Sequence, residues 1–200
     1  MDTLVIVNQL MLWIMVILLL LMVLKLARRS VQSHVTQTQV QRAEKRFADI
    51  IGQPAPDFST YTLEGESITR SERFGGKPLV LVFMSTSCPH CRTAIPDLEI
   101  TSFRARHTGI QIVPVISADL LETQQFVGDM SINIPVLVAP FAMSPWLEAL
   151  NPEGFVPAYC YIGADGIIQS GGALHSQQWK DLTMEWQAMP VLRKPVSFYR

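Results

Sequence analysis

The chain has 200 residues, enough for one ordinary domain with some length to spare and too few for a multidomain machine. Apolar residues make up 48% and charged residues 16%, a composition that excludes a disordered or nucleic-acid-coating chain, and the net charge of -1 offers polyanions no footprint. That charge is uneven: residues 25–49 hold six Lys/Arg against Glu44 and Asp49, whereas residues 50–200 hold ten against fourteen Asp/Glu.

No residue from Leu4 to Leu24 is charged, and Leu10 to Leu24 is an unbroken apolar run. At ~1.5 Å per helical residue this segment reaches about 30 Å, the thickness of a bilayer core. A cleavable signal would have a basic start and an apolar stretch of roughly 7–15 residues. This chain starts Met1-Asp2-Thr3 and runs on into Lys25-Leu26-Ala27-Arg28-Arg29. Residues 1–25 are therefore predicted to be a retained transmembrane anchor. Residues 26–51 are predicted to be a basic juxtamembrane helical stalk, because Ser30 to Ile51 lacks proline and glycine and spaces Val31, Val35, Val40, Ala43, Phe47 and Ile51 three to five apart. Its positive charge suits anionic lipid headgroups, or simply a solvated linker.

Gly52-Gln53-Pro54-Ala55-Pro56 ends the stalk and opens a globular segment, residues 52–190, followed by a tail, 191–200. Within it the hydrophobic period alternates between strand-like and helix-like, the pattern of an α/β domain. Leu79 to Met84 (LVLVFM) reads as a central strand buried on both faces. A helix follows from Cys88 past Phe103, bent at Pro96, and Ile110 to Ile116 is the next strand. Asp119 to Met130 is a second helix, with Asp119 as N-cap and Glu122 completing a capping box. Ala158 to Ile162 and Ile167 to Ser170 flank Asp165-Gly166, a hairpin signal. Ser176 to Met189 is an amphipathic helix with Trp179, Leu182, Thr183 and Trp186 on one side, ended by Pro190.

Two of the three cysteines form Cys88-Pro89-His90-Cys91. The pair follows a buried strand and opens a helix, so the first sulfur falls at a helix N-terminus, where unpaired N–H groups favour a thiolate. Cys88 is the expected nucleophile, and Cys91, one turn inside, would resolve a mixed disulfide. Half of a zinc site is the competing reading, but a second ligand pair would have to come from Cys160 and the scattered His34, His107 and His175. Cys160 lies mid-strand and reads as an inert core thiol.

Gly76 to Phe83 running into Ser87-Cys88-Pro89-His90-Cys91, with Pro96 eight residues after Cys88, resembles the thioredoxin-like fold in its TlpA-like, redoxin branch. The opening Gly52 to Phe58 (GQPAPDF), the Leu63-Glu64-Gly65 turn, and Val156-Pro157 before a strand and Asp165-Gly166 fit the same branch. The resemblance covers about residues 50–190. It implies a mixed sheet flanked by helices, a redox-active Cys88–Cys91 disulfide and a cis Pro157 that, with Val156, binds the substrate backbone opposite Cys88. Two departures stand out. Val82 occupies the place of a buried acid in thioredoxins, and Ser85-Thr86-Ser87 replaces an aromatic approach to the motif.

Pro89-His90 is also the dipeptide of DsbA-type periplasmic oxidases, and His90 beside the nucleophile would favour the reduced form, making the disulfide more oxidising. The anchored arrangement resembles the methylamine-utilisation members of the branch. By this resemblance the partners are an exported client protein with cysteines, such as a dehydrogenase subunit, and a membrane or thiol electron carrier; no cofactor is implied. The basic flank alone would hold the following chain in the cytoplasm. That rule weakens for long translocated domains, and disulfides persist outside the cytoplasm, so the expected location is the bacterial inner membrane, with the catalytic domain in the periplasm. A reductase serving cytochrome c maturation and a Sco-like copper module using His175 are the alternatives. A peroxiredoxin is disfavoured, because Leu81 and Ser85 stand where its polarising proline and threonine belong.

Overall fold

The computed structural model describes residues 2–188; Met189, Pro190 and the expected tail 191–200 lie outside them. Contacts divide the chain into two compact units, Met1–Gln41 and Arg42–Arg200. One helix, α1 (Asp2–Ile50), forms the first unit and supplies the opening residues of the second. Within it Val7–Lys25 is the stretch long and apolar enough to cross a membrane. Its described side chains are exposed: Met11 is 69% exposed and Trp13 58%. Continuous apolar surface on this scale makes the helix a candidate membrane span. The stripe expected on Val31, Val35, Val40 and Ala43 falls on side chains outside the described ones. Phe47, the next position in that stripe, is fully buried in the second unit.

The second unit is built on a seven-stranded sheet in the order β2-β1-β5-β4-β3-β6-β7. The strands are β1 (Ser59–Tyr61), β2 (Ser67–Thr69), β3 (Leu79–Met84), β4 (Gln111–Ile116), β5 (Leu137–Val138), β6 (Ala158–Ile162) and β7 (Ile168–Ala173). All six residues of β3 are buried, and it pairs in parallel with β4 and antiparallel with β6. That is why its sequence shows an unbroken apolar run instead of alternation.

The pleat sends alternate β3 residues to two cores. Val80, Val82 and Met84 pack with α3 (Pro89–Arg106), α4 (Leu120–Met130) and α6 (Gln177–Ala188). Leu79, Leu81 and Phe83 pack with Phe47, α2 (Arg70–Phe74) and α5 (Trp146–Leu150). On the second face the Phe47 ring lies against Gly171 of β7, where any Cβ would collide with it.

Two local details differ from expectation. Asp119 caps α4 by accepting from the Glu122 N–H at 2.8 Å, but the Glu122 carboxylate accepts from the Thr86 hydroxyl instead of closing a capping box. The complete capping box belongs to α2, between Thr69 and Glu72. The second hairpin strand also extends to Ala173, through Gly171 and Gly172.

Candidate active site at the C-terminal end of β3

Because β3, β4 and β5 run parallel, their C-terminal ends share one edge of the domain, and antiparallel β6 begins there. The Ser85–Cys88 turn and the Val156-Pro157 approach to β6 therefore converge, although 68 residues separate Cys88 from Val156. Val156-Pro157 is a cis peptide bond, and the Cys88 thiol donates to the Val156 carbonyl at 3.7 Å.

Cys88 is the N-cap of α3, with Pro89 at the first helical position, where its missing N–H costs nothing. The Cys91 N–H donates to Cys88 Sγ at 3.3 Å, an alignment that stabilises negative charge on that sulfur. Cys88 is partly exposed, while Cys91 is fully buried against Val82, Met84 and Ala94. Burial, and next the hydrogen bond with Cys88, push the Cys91 thiol up to about 12. Burial alone pushes Cys160 to about 12 as well; it lies within β6 opposite Leu81. All three cysteines are free thiols.

His90 is exposed on the first turn of α3, and its imidazole has no hydrogen-bond partner among the described residues. The structure therefore brings Cys88, Cys91, Val156 and Pro157 together, with His90 beside the pair and not bonded to it. Val82 is fully buried and faces the Cys91 core, so no acid lies at that strand position. His175 is exposed, and among the described residues no three His, Cys, Asp or Glu side chains converge as metal ligands would.

Sequence reasoning missed what holds the Ser85–Ser87 turn. Thr86 Oγ1 donates to Glu122 of α4, and Arg92 Nη2 donates to the Thr86 carbonyl at 3.2 Å while its guanidinium stacks 5.0 Å from the Phe126 ring centroid. One helix turn after Cys88, Arg92 thus ties the turn to the same α4 that supplies Glu122. The only sequence signal was a polar triplet between a buried strand and a helix.

The AhpC/TSA family model matches residues 51–170. The thiol-disulfide oxidoreductase ResA of Halalkalibacterium halodurans is 32% identical over 88 residues, which cover 44% of this chain and 49% of that protein. Methylamine utilization protein MauD of Methylobacillus flagellatus is 24% identical over 129 residues, or 64% and 60% of the two chains. The chain thus spans about half to three-fifths of the length of these relatives. Among solved structures, a thiol:disulfide interchange protein of the thioredoxin family from Chlorobium tepidum superposes with a TM-score of 0.51 and 25% identity, covering 66% of this chain and 93% of that one. The fold is thioredoxin-like, as the sequence implied.

Proposed function

The chain belongs to the AhpC/TSA family, and from that premise we propose that it is a membrane-tethered thiol-disulfide oxidoreductase working through Cys88 and Cys91. The observation that carries the reading is the Cys88 sulfur, partly exposed at the α3 N-cap, 3.3 Å from the Cys91 N–H and facing the carbonyl that precedes cis Pro157. Resemblance to ResA, MauD and the thioredoxin-family interchange protein supports the chemistry. In the oxidising direction a client thiolate attacks Cys88 of the Cys88–Cys91 disulfide and Cys91 leaves as thiolate. A second client thiolate then attacks the mixed disulfide, releasing an oxidised client and a dithiol enzyme. An electron carrier must accept two electrons and two protons to restore the disulfide. Val156 and Pro157 would hold the client backbone extended across the Cys88 sulfur.

The domain organisation proposed with this chemistry is an anchor over residues 1–25, a basic stalk and a periplasmic catalytic domain. The anchor reading rests on the apolar, uncovered helix Val7–Lys25. The client would be an exported protein with cysteines, such as a dehydrogenase subunit. Expression of Cys91→Ala tests the reading through the reverse step, in which Cys88 thiolate attacks a client disulfide, one client sulfur leaves as thiolate, and Cys91 is no longer there to displace the client: mixed disulfides to Cys88 should accumulate on non-reducing gels and vanish in a Cys88→Ser background. Absence of Cys88-linked adducts would overturn it.

A further inference from the structure

The sheet contains a gap at the end opposite Cys88. β5 has two residues, pairing with β4 only at Val115↔Leu137 and Ile116↔Val138 and with β1 only at Tyr61↔Val138. The N-terminal half of β4 therefore has no strand partner on that side. Pro114 fits this arrangement. The Gln111 N–H donates to Pro78 on the β3 side, so by alternation the missing N–H of Pro114 falls on the open side, where no ladder bond is lost.

A cavity of about 560 Å³ fills this gap, within the size range of small-molecule sites. Its walls include Leu63, Ile112 and Val136, which offer an apolar surface. Its rim carries Arg73, Arg106 and Lys77 against the single carboxylate Glu64. Lys77 has an interaction of its own; neither Arg73 nor Arg106 forms an ion pair among the described residues. The wall also holds Gln111, whose carboxamide nitrogen is buried and donates to nothing.

From the cavity and the cations together we infer that this is a binding site for a small amphiphilic anion, with an apolar body in the gap and a carboxylate or similar head at the arginines that line it, Arg73 and Arg106. Guanidinium groups suit such a head because they donate two parallel hydrogen bonds to it. The segment 189–200 is an unsuitable occupant: it carries Arg193, Lys194 and Arg200 and no Asp or Glu. The site lies about a strand length from the cysteine pair, roughly 17–20 Å for six residues, so binding there and thiol exchange are separable by mutation.

The test uses the full chain in nanodiscs of neutral lipid, with 2-naphthoate as probe and isothermal titration against empty nanodiscs as baseline. Inorganic phosphate supplies the head alone and 2-naphthalenemethanol the body alone. Saturable 2-naphthoate binding is expected, at least tenfold tighter than either fragment. Arg106→Gln and the exposed Arg73→Gln should each weaken it at least fivefold, Arg106→Lys, which keeps the charge but loses the paired donors, should fall between wild type and Arg106→Gln, and Cys88→Ser should leave it unchanged. The inference is overturned by absent 2-naphthoate binding, by equal binding of either fragment, or by binding that survives the Arg73→Gln, Arg106→Gln double variant. None of these results touches the thiol chemistry, which the Cys91→Ala adducts decide separately.

Discussion

Alkylation of the reduced protein by iodoacetamide should label one cysteine. The reagent reacts with thiolate, so its rate at each site follows thiolate population and access. Cys91 and Cys160 have thiols pushed to about 12 and are completely buried. An ordinary exposed cysteine titrates near 8.5, so at any pH below about 8 each buried site carries roughly 3,000-fold fewer thiolates than such a reference thiol, before access is counted. Cys88 is open to solvent and has the Cys91 N–H aimed at its sulfur. Mass spectrometry of tryptic peptides after limited alkylation at pH 6–7 should find the label almost wholly on Cys88, with under about 1% on the other two. Denaturant should equalise all three, because burial is the first cause of both upward shifts. Comparable native-state labelling of Cys91 or Cys160 would refute the argument from burial and cap geometry.

His90→Ala should lower the reduction potential of the pair in glutathione buffers by tens of millivolts, each ~30 mV corresponding to about 1.4 kcal/mol of lost preference for the reduced form. A wild-type potential already near the roughly −270 mV of thioredoxin would favour the reductase direction instead. A topology reporter fused after Arg200 should be active only in its periplasmic form, and a cytoplasmic signal would rule out the proposed orientation. Cys160 sets an alkaline limit: its folded-state pKa is raised, so its contribution to stability is full below about pH 9 and is lost as pH rises towards 12, up to ~4 kcal/mol. Cys160→Ala should make that limb shallower, the raised Cys91 thiol keeping its own share, in denaturant melts recorded from pH 8 to 11. Gly171→Ala should cost about 1–3 kcal/mol, read as a lower denaturation midpoint, because the new methyl group enters the Phe47 ring.

The strongest sequence signals were those carried by long periodic runs. Leu79 to Met84 forms β3 with the limits its apolar run implied, and Trp179 and Trp186 are buried on the predicted side of α6. Elements too short to show a period escaped: β1, β2 and the two-residue β5 exist because tertiary contacts complete them. Thr60 Oγ1 donates to the Val138 carbonyl at 2.9 Å, and the buried Trp146 indole donates to the Ser59 carbonyl at 3.1 Å while stacking on Phe58. The cysteine pair was visible because its two members are three residues apart. Val156 could be placed opposite Cys88 only through resemblance, since nothing local in the sequence connects positions 68 apart. The cations Arg73 and Arg106 were invisible as a pair for the same reason.

The apolar seat of Cys91 bears on the lifetime of a captured client. A client held on Cys88 can leave in two ways, by attack of its own second thiolate, as proposed, or by attack of Cys91, which must first lose a proton. In the dithiol its thiol is raised to about 12, first of all by burial, which a client on Cys88 would leave in place, and Val82 provides no nearby base. Under the proposed function, escape through Cys91 would be slowed, leaving the covalent intermediate to attack by the client's own remaining thiols. Under that proposal the catalyst would partition towards reshuffling and completing bonds within one client rather than rapid turnover of many. Its throughput would then be governed by how many free thiols the client brings close to the bond.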